Sequence, residues 1–225
     1  MSRRAAEPAP SAAGRPPLES RWPATLAVLV AIGLYMTLPD DLVLGPTWIV
    51  PLLEGAILVP LTVARPHRHP GESGNSRIAA IVLIAIANVG NVGSLSLLIH
   101  VLLSGAHING RTLVFSAIQI YLTNVIIFGL WYWEIDGGGP AARLGNRSPY
   151  PDFLFPQMNA KSSAQPGWHP TFIDYLYVSL TNATAFSPTD TLPLTRKVKV
   201  LMGIQCLASL LTIALVAGRA VNILN

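Results

Sequence analysis

Five long apolar segments, separated by polar stretches, form the main pattern of this chain. They run from about Trp22 to Leu38, Thr47 to Ala64, Ile78 to Leu103, Thr112 to Trp133 and Val198 to Leu224. An apolar run of about 17 to 25 residues can cross the hydrocarbon core of a bilayer as a helix, so each segment predicts a membrane-spanning helix. Pro51 and Pro60 lie inside the second segment, where membrane helices tolerate proline because neighbouring helices satisfy the freed carbonyl groups.

A sixth apolar segment, Phe172 to Phe186, is shorter than the others. Its 15 residues would rise only about 22 Å as a helix, whereas the hydrocarbon core is about 30 Å thick. The polar residues inside it are Asp174, Ser179, Thr181, Asn182 and Thr184. We therefore predict a half-helix that enters the membrane and turns back at Ser187 to Asp190. The predicted fold class is an all-α polytopic membrane helix bundle with five spanning helices and one short re-entrant, pore-like helix.

This pattern divides the chain into four regions. They are a disordered tail at residues 1–21, a four-helix transmembrane region at 22–133, a polar interfacial loop at 134–170, and the half-helix, turn and last transmembrane helix at 171–225. The tail is rich in Ala, Pro, Arg and Ser and has no apolar period, which is typical of disorder. Trp131, Tyr132 and Trp133 form an aromatic cluster of the kind that marks a membrane interface. We expect the proline-bounded stretch Tyr150–Pro156 to lie on the headgroup surface.

The composition agrees with a membrane protein and excludes several other classes. Hydrophobic residues make up 51% and charged residues 12% of the chain, and the mean hydropathy is +0.48, whereas soluble domains carry about 25% charged residues. A soluble enzyme, a disordered chain and a secreted disulfide scaffold are therefore not expected. The single cysteine, Cys206, has no partner for an internal disulfide.

Catalytic and metal-binding motifs are not visible in the sequence. It contains no Gly-x-Ser-x-Gly, no His-Glu-x-x-His and no phosphate-binding glycine loop, so we predict no enzyme activity and no cofactor. His67 and His69 are too few ligands for a metal site, so no metal is predicted. An intramembrane enzyme would need a polar cavity that joins Glu54, His100 and the asparagines of the third segment.

The distribution of basic residues predicts the orientation in the membrane. Thirteen of the 15 lysines and arginines fall on one predicted side, and Arg111 and Arg219 fall on the other. Because cytoplasmic loops carry an excess of these residues, we predict an inner-membrane protein with a cytoplasmic N-terminus. If the short segment spans instead, the bias weakens to eleven against four and the N-terminus stays inside. The net charge of +4 thus reflects topology and contact with membrane lipid, with no nucleic-acid partner required.

Several polar residues fall within the predicted membrane segments, where burial of a polar group is costly. They are Glu54, Asn88, Asn91, Gln119, Asn124 and Gln205. Two interpretations remain open for the amides, because Asn and Gln often bond helices to one another, and they also line ion or substrate paths. Glu54 is either protonated, paired with a basic residue of another helix, or part of a transport or gating site.

The segment around the predicted half-helix has a distinctive order. An aromatic half-helix with a threonine-rich end is followed by a turn, an aspartate, a Pro-x-Thr sequence and a long apolar helix. Over Phe172 to Leu224 this order resembles the pore module of tetrameric potassium-type ion channels. The residues that carry the resemblance are Tyr177, Ser179, Thr181, Thr184 and Asp190. The whole chain also resembles uncharacterised bacterial inner-membrane proteins that share the Tyr-x-Ser…Thr-Asp stretch, a resemblance that implies no activity.

The resemblance to the pore module implies an oligomeric channel, a tetramer, that conducts monovalent cations. It places the hydroxyls of Thr181, Thr184, Ser187 and Thr189 and the carboxylate of Asp190 along the pore, where a ring of carboxylates would favour cations. The sequence departs from the family at the filter, because Ser187-Pro188-Thr189 replaces Gly-Tyr-Gly. Proline fixes φ and lacks an amide proton, so no potassium-selective carbonyl ladder is expected.

The sequence therefore supports two main hypotheses of function. The first is a channel-like or transporter-like membrane protein. The alternative is a non-catalytic membrane scaffold or interaction protein with a vestigial pore-like motif, in which the half-helix fills the bundle of a monomer.

Overall fold

The computed structural model describes residues 19–64, 67–68, 74–104, 109–144, 150–159, 168–184 and 191–224, and this part of the chain is mostly helical. The helices are α1 (Trp22–Met36), α2 (Ile49–Ala64), α3 (Gly74–Leu103), α4 (Gly110–Ile135), α5 (Pro140–Leu144), α6 (Pro156–Asn159), α7 (Phe172–Thr184) and α8 (Arg196–Leu224). Asp40–Leu42 and Asp136–Gly138 form short 3-10 turns. The expected all-α bundle is confirmed in this coarse sense.

Within the described residues, three helices, α3, α4 and α8, are long and apolar enough to cross a membrane. The chain is therefore a membrane protein with at least three helices suited to spanning. Helices α1 and α2 are also apolar but contain only 15 and 16 residues. Their spanning, like the re-entrant character of α7, stays a prediction.

Two very short antiparallel sheets join the polar segments between helices. Strand β1 (Glu19–Ser20) pairs with β2 (His67–Arg68), which brings the start of α1 beside the connection from α2 to α3. Strand β3 (Phe153–Leu154) pairs with β4 (Leu192–Pro193), which brings the connection from α4 to α7 beside the start of α8.

Helix α4 lies at the centre of the bundle, where it packs against α1, α3, α7 and α8. Its C-terminal half is almost entirely buried, whereas Phe115, Ile118 and Leu122 of its N-terminal half are exposed on one face. Its C-terminal end meets an aromatic core built around Tyr132, Phe153 and Tyr175, and we call this end of the bundle the Asp136 end. Its N-terminal end meets a second core around Leu42 and Leu98, and we call this the Leu42 end.

The structure places two aromatic groups differently from the expectation. Tyr132 and Trp133 lie within α4 and are buried, so they belong to the core and do not form a belt at the surface. Phe153 and Phe155 are also buried, and only Tyr150 of the loop aromatics is strongly exposed. The physical reason is edge-to-face packing of aromatic rings, which lie 5.2 Å apart for Tyr132 and Phe153.

Candidate functional site around helix α7

Helix α7 begins at a local capping arrangement that the sequence encodes. The Thr171 amide and hydroxyl both donate to Oδ2 of Asp174, at 2.7 and 2.9 Å. A carboxylate three residues after the capping threonine satisfies an amide at the helix start and stabilises it electrostatically. This arrangement explains why the helix begins at Phe172, as predicted.

Three contacts fix α7 antiparallel against α4, starting from the Asp136 end. The rings of Phe172 and Trp133 lie 5.8 Å apart, and the Ser179 hydroxyl donates to the Val125 carbonyl at 2.7 Å. Between them, Gly129 faces the α7 backbone so closely that a Cβ there would lie 3.1 Å from the Cα of Leu176. The absence of a side chain at Gly129 therefore permits the close approach of the two helices.

A buried hydrogen-bond network ties α4, α7 and α8 together around Gln205. The Tyr132 hydroxyl donates to the Gln205 carbonyl oxygen at 2.5 Å, and Asn182 donates to the same oxygen at 2.8 Å. The Gln205 amide donates to the backbone carbonyl and hydroxyl of Ser179, at 2.9 and 2.7 Å. Asn182 also donates to the Met202 carbonyl at 3.0 Å. Gln205 is fully buried.

The other predicted membrane amides divide into two groups. Asn124 donates to the Ser209 hydroxyl at 3.0 Å, and Gln119 donates to the Thr37 hydroxyl at 2.6 Å, so both join helices as the packing interpretation expects. On α3, Asn91 is buried. Asn88 has a buried side-chain oxygen with no hydrogen-bond partner in the described part of the chain. None of the four belongs to the network around Gln205.

The predicted pore-lining residues are described only in part. The Thr181 hydroxyl donates to the Tyr177 carbonyl at 2.9 Å, and the Thr184 hydroxyl donates to the Thr181 carbonyl at 3.0 Å, so both bond within their own helix. Both residues are half-buried. The other three predicted residues, Ser187, Thr189 and Asp190, lie outside the described residues.

Sequence reasoning missed a buried carboxylate at the Asp136 end. One oxygen of Asp136 accepts from the amides of Asp152 and Phe153, at 2.6 and 3.1 Å, and the other accepts from the Tyr175 hydroxyl at 2.5 Å. Arg143 donates to the Asp136 carbonyl at 2.6 Å and lies over the Tyr175 ring. The loop after α4 is thereby fixed to α7. The only local signal was an aspartate next to a glycine run.

Asp152 is another buried carboxylate of this end, and it joins the loop to the start of α8. It accepts from the Gly137 amide at 3.0 Å and forms an ion pair with Lys197 at 2.8 Å. Its carbonyl accepts from the Leu194 amide at 2.8 Å. Residues 137–139 have φ values of 56°, 84° and 96°, a left-handed turn that glycine adopts without strain and that explains the glycine run.

These contacts place both chain connections of α7 at the same end of the bundle. At its start, Phe172 meets Trp133 and Tyr175 meets Asp136. After it, Leu192–Pro193 pairs with Phe153–Leu154, next to Asp152. The C-terminal turn of α7 lies farther along α4, beyond Val125.

Glu54 lies apart from this site, in the second turn of α2, and it is buried. It is not joined to His100, which is exposed on α3. No cluster of three or more His, Cys, Asp or Glu side chains suited to a metal ion occurs among the residues that the structure describes. The chain matches no protein-family model, no curated protein and no solved structure.

Proposed function

We propose that the chain is a channel-like or transporter-like protein of the inner membrane, in which α7 is a re-entrant half-helix and the segment 181–190 lines a path for monovalent cations. The observation that carries the proposal is the position of the two connections of α7. The chain reaches α7 at the Asp136 end and is again at that end by Leu192. This is the geometry expected of a segment that enters a membrane and returns on the same side.

The length and direction of α7 support this interpretation. Its 13 residues rise about 20 Å, less than the hydrocarbon core of about 30 Å. The carbonyls of its last turn carry the negative end of the helix dipole. Half-helix ends inside a membrane coordinate cations in this way in transporters.

The distribution of charge supports a cytoplasmic Asp136 end. Arg143 and Lys197 bond there to Asp136 and Asp152, and Arg77 donates to the Glu134 carbonyl at 3.5 Å. The exposed pair Asp40 and Asp41 lies at the opposite end. Because basic residues gather on the cytoplasmic side, this arrangement agrees with a cytoplasmic N-terminus.

A pore of this type requires several copies of the chain around one axis, four if the channel resemblance holds. The surface of α7 that its own bundle leaves uncovered carries Ile173, Tyr177 and Leu180. A tetramer would surround the central axis with four α7 C-terminal turns and four copies of the segment that follows them.

The scaffold remains the second candidate, and the Gln205 network favours it. The polar side chains of Ser179 and Asn182 bond within the same chain, to α4 and α8. The hydroxyls of Thr181 and Thr184 bond to carbonyls of α7 itself. A helix held in this way could fill and stabilise the bundle of a monomer without conducting ions.

Oligomeric mass and cation flux separate the two functions. We expect the purified chain in detergent to be a tetramer, and liposomes containing it to conduct monovalent cations. Thr184→Val and Asp190→Asn should abolish the flux. Thr62→Val is the matched control, because the Thr62 hydroxyl likewise bonds within its own helix, to Leu58 at 2.9 Å. A monomer without flux would contradict the channel and favour the scaffold.

A pair of terminal fusions tests the re-entrant path separately. If α7 re-enters, the N-terminus is cytoplasmic and the C-terminus lies on the opposite side. Alkaline phosphatase, which is active only outside the cytoplasm, should then be active when it is fused after Asn225. Green fluorescent protein fused at the N-terminus should fluoresce. An inactive phosphatase fusion on a correctly inserted chain would show that α7 spans the membrane.

A further inference from the structure

A second polar position lies at the Leu42 end, away from α7, where α1, α2 and α3 meet. Glu54, in the second turn of α2, is only 3% exposed, and Tyr35, in the last turn of α1, is only 5% exposed. Gly90 of α3 packs between these helices, since a Cβ there would lie 3.3 Å from the Tyr35 ring and 3.3 Å from Val50. Val50 lies one turn before Glu54 on α2, so the tyrosine packs beside the turn that carries the carboxyl.

Among the described residues, neither the hydroxyl of Tyr35 nor the carboxyl of Glu54 has a hydrogen-bond partner of ordinary geometry. The Tyr35 hydroxyl is within electrostatic range of the Glu54 carboxyl and of the Leu44 amide. It nevertheless forms no hydrogen bond of ordinary geometry with any described residue. No hydrogen bond or ion pair joins Glu54 to another residue of the described ranges either. The sequence hypothesis of an ion pair with a neighbouring helix is thus not realised among these residues.

In the part of the chain that the structure describes, no basic side chain forms an ion pair with the Glu54 carboxylate. Tyr35 is the titratable group that faces it from α1. On α3, Arg77 bonds to Glu134 at the opposite end of the bundle, and His100 lies about 15 Å along the helix from Gly90. An ionised carboxylate without hydrogen bonds or a counter-charge costs several kcal/mol in such surroundings.

We propose that Glu54 and Tyr35 form a proton-binding site, in which Glu54 carries an exchangeable proton within the membrane and the neutral Tyr35 hydroxyl is the neighbouring polar group that can donate a hydrogen bond to the carboxylate when that proton leaves. The ligand is the proton itself. This site is separate from the cation path proposed along α7.

The site lies close enough to solvent to exchange its proton. Glu54 lies five residues after the start of α2, which is about 8 Å along the helix from its first residue. Tyr35 is the penultimate residue of α1. The loop between these helices exposes Asp40 and Asp41 at the same end. Negative side chains at the mouth of a site attract protons to it.

Reaction with dicyclohexylcarbodiimide tests the proposal on the intact chain in liposomes. This apolar reagent reacts with protonated carboxyls in apolar surroundings and leaves a stable N-acylurea, which peptide mass spectrometry locates. We expect labelling at Glu54. Above the midpoint of the titration, labelling should fall about tenfold for each pH unit, as the protonated fraction does. Asp152 is the internal control, because it is also buried but is paired with Lys197 and should stay unlabelled.

Several outcomes would overturn the assignment. An unlabelled Glu54, or labelling that does not depend on pH, would show that Glu54 holds no exchangeable proton. Protection of Glu54 by sodium at constant pH would assign the site to a metal cation instead. Tyr35→Phe should shift the midpoint of the labelling curve, and an unchanged curve would remove Tyr35 from the site. The experiment needs neither a tetramer nor flux, so it can succeed or fail independently of the proposed channel.

Discussion

Gly129 provides a direct test of how α7 is seated in the bundle. In Gly129→Ala, the new methyl group would lie 3.1 Å from the Cα of Leu176 and 3.2 Å from its Cδ1. Carbon atoms at their best separation are about 3.5 to 4.0 Å apart. The Cα belongs to the backbone of α7, so a rotamer change cannot relieve the contact. Helix α7 must therefore move away from α4 by a few tenths of an ångström.

The cost of this movement can be estimated from the bonds that it stretches. The hydrogen bond from Ser179 to the Val125 carbonyl is 2.7 Å long. Ser179 lies about one helical turn beyond Leu176, the residue that the new methyl group would contact. Overpacking of this kind costs about 1 to 3 kcal/mol. Alanine gains up to about 1 kcal/mol over glycine in helix propensity, and this gain must be removed from the comparison. Gly203→Ala in α8 provides that reference, because a Cβ at Gly203 meets no atom within 4 Å.

Thermal unfolding in detergent, followed with a thiol-reactive fluorophore, measures the difference. Cys206 is the only cysteine, it is partly buried, and it adjoins Gln205 in the network, so it becomes reactive when α7 and α8 separate. One kcal/mol corresponds to about 2 to 4 °C for a chain of this size. Gly129→Ala should therefore melt about 2 to 12 °C below Gly203→Ala. Equal melting temperatures would refute the close packing of α7 on α4.

Three further substitutions test the buried polar groups. Gln205→Leu should lower the free energy of unfolding by about 1 to 3 kcal/mol in the same thermal assay, because it removes the acceptor of Tyr132. Asp136→Ala should speed proteolytic cleavage after α4, since three buried donors lose their acceptor; unchanged cleavage would contradict its anchoring role. Lys197→Met should cost less than about 1 kcal/mol, because the Lys197 side chain is 56% exposed and such pairs are weak. A larger loss would show that the buried Asp152 depends on this counter-charge.

Local sequence properties were sufficient to find most of the helices. The apolar runs located α3, α4 and α8 as helices suited to spanning, and the short run from Phe172 located α7 to within two residues. The threonine and aspartate at the start of α7 and the glycine run after α4 are also local signals, since each acts on the backbone next to it. These features can be recognised in the sequence because helix propensity, capping and turn geometry involve neighbouring residues only.

The roles of the polar residues inside the bundle could not be predicted in the same way. The sequence offered packing and an ion path as alternatives for Gln205, Asn124 and Gln119, and the structure gives each a hydrogen-bond partner on another helix. These partners lie between 23 and 85 positions away along the chain. The aromatic residues of the loop were misplaced for a similar reason, because Phe153 looks like a surface residue until Tyr132 is known to lie beside it.

The sequence by itself thus determined that the chain is a helical membrane protein, where its apolar helices lie and which polar residues fall inside them. These properties are sums over adjacent residues, because the free energy of moving an apolar run into lipid depends on its length and composition. Only the tertiary structure decided that Gln205 joins α4, α7 and α8, that both connections of α7 lie at the Asp136 end, and that Glu54 has no partner among the described residues. Those outcomes depend on which faces of the helices pack against one another. The pattern of apolar and polar residues along one segment does not determine that packing.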